Sequence, residues 1–209
     1  MAEGFSITGI SYIVDKNGNL TNLERILKVD GYKLELSFFA DDTDSERPFR
    51  IDATYYSASG GREGDLEIER FFTEDETPYF DIERLRVTTQ KQELGTKIFT
   101  KVLELSETMG IEQLSVSARE IGAYYWALLG FVPTQKEWPE LYKTICARAE
   151  SLGIEVDIPT RQDLPKFAKE NPSALLLNTE WFGIMDLTDC EQMRHCQEYI
   201  NGKLGCGLH

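Results

Sequence analysis

The chain has 209 residues, 41% hydrophobic and 11% aromatic, with a formal net charge of −14. These are globular proportions, with length enough for a full core, and they exclude a disordered polymer. So acidic a balance also argues against nucleic acid, whose binding needs clustered Lys and Arg; it suits an amine-bearing partner, and equally plain solubility.

At the N-terminus, Met1–Ser6 lacks the basic and apolar regions of a secretory leader, and no apolar run anywhere reaches the length of a membrane span. The expectation is a cytoplasmic protein without a membrane partner. Ile7 to Val14 reads as a first strand and Asp15-Lys-Asn-Gly18 as a turn. Asp15, Asn17 and Asn19 imitate a calcium loop, but Leu20 and Ile26 occupy the positions of its glycine and bidentate glutamate, so calcium is rejected. Thr21-Asn-Leu-Glu24 has the form of a capping box opening a short helix with Leu23, Ile26 and Leu27 inward. Asn19-Leu-Thr21 is a glycosylation sequon without meaning unless the chain is secreted.

Four strand-like runs follow: Tyr32 to Ala40, Phe49 to Ala58, Leu66 to Phe72 and Tyr79 to Val87. The acidic or glycine-rich turns between them are short, which predicts an antiparallel meander. Thr88 to Thr96 reads as a polar turn holding Gly95. From Thr96, apolar residues at Ile98, Phe99, Val102, Leu103, Leu105 and Met109 mark a helix that ends at Gly110. Ile111 to Val116 makes a strand, and Ala123 to Gly130 a short helix.

Beyond Phe131, Val132-Pro133 leads to helices over Glu140–Ser151 and Arg161–Glu170, the second stopped by Asn171-Pro172. Trp181 to Leu187 reads as a strand, and Asp189 caps a last helix to about Asn201, with Gly202 past its end. The fold class expected is α+β, a mostly antiparallel sheet flanked by helices. One domain spans residues 1–209, with a helical insertion over 137–178 and a last strand and helix over 179–209. Cys146, Cys190, Cys196 and Cys206 are expected to be free thiols. The Cys206-x-x-His209 pair has no partner pair at zinc spacing, so no metal is expected.

Two short motifs carry a resemblance. Gln92-Glu-Leu-Gly95-Thr-Lys97 follows a strand and opens a helix, where unpaired backbone N–H groups and the helix dipole favour a pyrophosphate. Tyr125-Trp-Ala-Leu-Leu-Gly130-Phe131 follows after a helix and a strand. Together they resemble motifs A and B of the GNAT superfamily, the acyl-CoA-dependent N-acetyltransferases. The later part of the chain is similar to divergent GNAT modules of phage and mobile-element proteins. Lys97 departs from motif A, where a small residue is usual, and would serve instead as a point charge for a phosphate.

The resemblance implies an acetyltransferase that takes acetyl-CoA as cofactor and an amine of a protein or small molecule as acceptor. Leu85, Arg86, Val87, Gln92, Glu93, Leu94, Gly95, Thr96 and Lys97 would hold the cofactor. Transfer also requires a base for the amine and a proton for the thiolate. Asp81, six residues before Val87, is in register with the superfamily's carboxylate, and Glu83 lies two further on, on the same face of a regular strand. Either is a candidate base; alternatively both face solvent and pair with Arg84 or Arg86. The superfamily's tyrosine acid aligns with Trp126, which cannot serve, and Tyr125 stands one residue away. The competing expectation is a GNAT-fold module that binds a partner without catalysis.

Overall fold

The computed structural model describes residues 12–40, 49–88 and 92–205. They form two compact units, one running up to Leu114 with the tail from Gly202, the other Ser115–Asn201. The expected strand residues 7–11, the turn at 41–48 and the Cys206–His209 pair lie outside the described residues.

In the first unit, β1 (Tyr12–Val14) and β2 (Leu20–Asn22) form an antiparallel hairpin. Its turn explains the calcium-like pattern. The Asp15 carboxylate accepts hydrogen bonds from the backbone N–H groups of Asn17 and Asn19, both at 2.8 Å, which is ordinary Asx-turn chemistry. Helix α1 (Leu23–Leu27) is capped by Asn22, whose Oδ1 accepts from the Arg25 N–H at 2.9 Å. The capping residue is therefore Asn22 and not Thr21, because β2 runs through Asn22 and carries Thr21 into its pairing with Ile13.

The meander is present as β3 (Lys33–Ala40), β4 (Phe49–Tyr56), β5 (Arg62–Phe72) and β6 (Pro78–Val87), each antiparallel to the next. One face buries Ile51, Ala53, Tyr55, Leu66, Ile68, Phe80 and Ile82. The other is a lattice of charge in which Arg50 bridges Asp52, Glu67 and Glu69, and Arg84 reaches Glu67 at 2.7 Å. Strand β5 begins four residues earlier than its apolar run, since the tight turn between Ser57 and Gly61 brings Arg62 directly opposite Tyr56.

Helix α2 (Gln92–Met109) follows β6 and buries Leu94, Ile98, Phe99, Val102 and Leu105. Gly64 on β5 permits its approach. A Cβ there would lie 3.1 Å from Ile98 Cδ1 and 3.3 Å from Leu94 Cδ2, so the ends of both side chains would have to give way. Gly110, at φ +69°, ends the helix in the left-handed region.

The second unit holds most of β7 (Gln113–Ala118), then α3 (Gly122–Leu128), β8 (Val132–Pro133), α4 (Trp138–Leu152), α5 (Leu164–Glu170), β9 (Trp181–Asp186) and α6 (Cys190–Leu204). In its sheet β9 lies between β7 and β8, and β8 pairs antiparallel with β9, Val132 opposite Ile184. The helical insertion thus joins two paired strands. Arg148 on α4 holds its return path by donating to the carbonyls of Leu177 at 2.6 Å and Asn178 at 3.3 Å. Arg161 ties its middle to the Pro133 carbonyl at 2.7 Å.

Asp189 caps α6 as expected, its Oδ1 accepting from the N–H groups of Glu191 and Gln192. The helix does not stop at Gly202; it continues to Leu204, and Gly205 at φ +68° takes the terminating role. The described chain is mixed α+β with mostly antiparallel strands and six α-helices. None of those helices is long and apolar enough to cross a membrane.

Candidate functional site

The candidate residues of the first unit cluster where β6 gives way to α2. Phe80 and Ile82 point into the core, which turns Asp81 to the charged face, half-buried and opposite Glu69. Asp81 lies close enough to Tyr79 for its negative charge to add to burial in raising that phenol's pKa.

Beyond Ile82 the strand is irregular. Ile82 pairs with Ile68 and Arg84 with the adjacent Glu67, so Glu83 is an extra residue with no opposite number, a β-bulge. The charged face of Asp81 continues past this point, and Glu83 itself is exposed. The bulge shifts the alternation by one residue, and Arg84 takes the next position on that face. Past the bulge, Leu85, Arg86 and Val87 stand opposite Leu66, Asp65 and Gly64. The strand end is pinned by Thr88, which donates through its N–H to the Glu63 carbonyl at 2.8 Å and through its hydroxyl to the Arg62 carbonyl at 3.1 Å.

Residues 89–91 and the Gln92 side chain lie outside the described structure. The helix begins at Gln92, so Gly95 sits inside the first turn of α2 and not in the turn before it. A Cβ at Gly95 would lie 3.7 Å from Val87 Cγ1, an ordinary contact, so the glycine is not required by packing within this unit. Leu94 and Thr96 are buried, and the Leu94 side chain packs against the sheet at Gly64. Glu93 is exposed and Lys97 half-exposed; the two pair at 3.5 Å along the helix. What this terminus offers a ligand is therefore the backbone N–H groups of its first turn, with Lys97 near them already engaged.

In the second unit, Trp126 is buried and meets the Phe131 ring edge-on at 5.1 Å, so it is a core residue. Tyr125 is half-buried and contacts the Tyr124 ring at 5.6 Å. Burial pushes the Tyr199 hydroxyl on α6 up to about 12, and the neighbouring Tyr125 and Tyr124 add to the effect. Such a phenol stays protonated at neutral pH. Nearby, the His195 ring bonds the Leu128 carbonyl, yet burial and Lys169 hold its pKa below the ordinary value. Neither Tyr199 nor His195 belongs to a motif. Only the packing of α6 brings them to α3, and the sequence carried no signal for it.

Cys146, Cys190 and Cys196 are free thiols, the last buried and pushed up to about 12. Among the described residues no group of three or more His, Cys, Asp or Glu side chains is gathered closely enough to hold a metal ion. No protein-family model matches the chain, and no curated protein matches it.

Proposed function

We propose that the chain is an N-acetyltransferase of the GNAT kind, moving an acetyl group from acetyl-CoA to an amine of a protein or small molecule. The observation that supports this reading is the order of parts in the first unit. An antiparallel meander ends in a bulged strand with Asp81 on its charged face, and Gln92 and Gly95 fall in the opening turn of the helix that follows.

In this reading the unpaired N–H groups at the start of α2 receive the cofactor's pyrophosphate. The amine nitrogen attacks the thioester carbonyl carbon, the C–S bond breaks, and the amine's proton passes to Asp81 directly or through water. The thiolate leaves with a proton from solvent. Asp81 is preferred over Glu83 because Glu83 is the unmatched bulge residue.

One observation favours the alternative of a non-catalytic binding module. The position of the expected acid is a buried tryptophan with no hydroxyl to offer. Free thiol release separates the two readings: with acetyl-CoA and a panel of amines, the enzyme liberates CoA thiol in step with acetylated product. Cofactor binding is tested by melting temperature, since a ligand selective for the native state raises it. Gly95→Ala fits the space and should keep the CoA response, while Gly95→Glu sets a bulky anion at the helix terminus and should abolish it. A CoA response in neither wild type nor Gly95→Ala at about millimolar ligand, the upper end of ordinary KM values, removes the cofactor assignment.

A further inference from the structure

Three of the chain's eleven arginines converge at one place on this acidic protein. Gly64 turns toward α2, so its neighbour Asp65 turns to the opposite face of the first unit's sheet. There Arg62, Asp65, Arg84, Arg86 and Thr88 line an open cleft of about 220 Å³. Of the lining residues three are positive and one negative, Asp65, which is only 7% exposed, and Arg84 also reaches Glu67.

The guanidinium groups are held in different ways. Arg62 donates through Nε to Asp65 Oδ1 at 2.6 Å, and Arg84 donates to Glu67 Oε2 at 2.7 Å. Each is thereby oriented by a carboxylate of β5 while keeping further N–H donors, since a guanidinium carries five. Arg86, directly opposite Asp65, has no carboxylate partner among the described residues. The Thr88 hydroxyl is committed to the Arg62 carbonyl, which fixes the floor of the cleft and leaves the arginines as its donors.

We propose that this cleft is an oxyanion site, taking a phosphate ester or a carboxylate between Arg62, Arg84 and Arg86. Forked, planar donors suit such groups, and a charge-assisted hydrogen bond is about twice as strong as a neutral one. The overall charge of the chain repels anions at long range, so a ligand held here is selected at close range, with affinity that falls as salt rises. The site stands whether or not the chain transfers acetyl groups.

The test titrates the full chain at low salt with inorganic pyrophosphate and, separately, citrate, followed by calorimetry. The expected result is saturable binding at one site, weakened about tenfold or more by Arg86→Gln and by Arg84→Gln, each removing charge-assisted donors. Arg119→Gln, an exposed arginine of the other unit, should leave it unchanged. Absence of saturation with both anions, equal binding by Arg86→Gln, or an equal loss in Arg119→Gln would overturn the proposal. Adding CoA identifies the natural source of the oxyanion: competition with pyrophosphate assigns the cleft to the cofactor's phosphates, and joint binding assigns it to another ligand. In Gly95→Glu, pyrophosphate binding should persist even where the CoA response is lost, which keeps the two assignments separable.

Discussion

Replacing Arg50 by methionine tests the charged face of the meander, because one guanidinium there serves three carboxylates. Its contacts are 3.1 Å to Asp52, 2.6 Å to Glu67 and 3.5 Å to Glu69. The Glu69 and Glu67 side chains are only 4% and 12% exposed, whereas Arg50 keeps 36% of its surface in water. Burial works against the charge of Arg50, but Asp52, Glu67 and Glu69 outweigh it and hold its pKa above the ordinary value. Removing one partner of a fully buried pair costs about 3–5 kcal/mol. Three features reduce that figure here: Arg50 is partly solvated, its contact with Glu69 is long, and Glu67 keeps Arg84. The expected loss is about 2–3 kcal/mol, or roughly 5–10 °C in melting temperature for a chain of this size.

Urea unfolding of wild type and Arg50→Met at neutral pH measures the difference directly. Repeating it in about 1 M salt tests the cause, because salt screens partly exposed charge pairs and the gap should narrow. A gap under about 0.5 kcal/mol at neutral pH, the ordinary scatter of surface substitutions, would refute the reasoning. So would a full-sized gap that did not change with salt, which would assign the effect to lost packing of the arginine stem.

Asp81→Asn should lower the acetylation rate by about two to four orders of magnitude with CoA affinity little changed, and Glu83→Gln should matter less. Equal rates in wild type and both variants at saturating amine would remove the base from β6. Asn22→Ala should cost about 1 kcal/mol of unfolding free energy and Thr21→Ala much less; the reverse order would restore Thr21 as the cap of α1. His195 has a pKa below its ordinary value in the folded state, so the unfolded chain binds the proton first. Its contribution to stability is complete above about pH 6.5 and is lost as pH falls through the folded pKa. Between pH 7 and 5.5 the melting temperature of wild type should therefore fall more steeply than that of His195→Gln, and parallel slopes would contradict this.

The sequence alone determined the elements that rest on local pattern. Alternation along Phe49–Tyr56 and three- and four-residue steps along Ile98–Met109 state which face each element buries. Gly110 ends its helix because it reaches left-handed backbone cheaply, at φ +69°. The tertiary structure decided what depends on register between strands. Whether Arg84 shares the face of Asp81 is set by how β6 pairs with β5, and one bulge brings it there. Leu94 of α2 packs at Gly64, a residue about thirty positions away on β5. The arginine cleft was equally hidden. Arg62, Arg84 and Arg86 look like ordinary surface charge until antiparallel pairing lays them around Asp65. Periodicity is written residue by residue, whereas register is settled by the summed packing of distant segments, and the candidate sites of this protein depend on register.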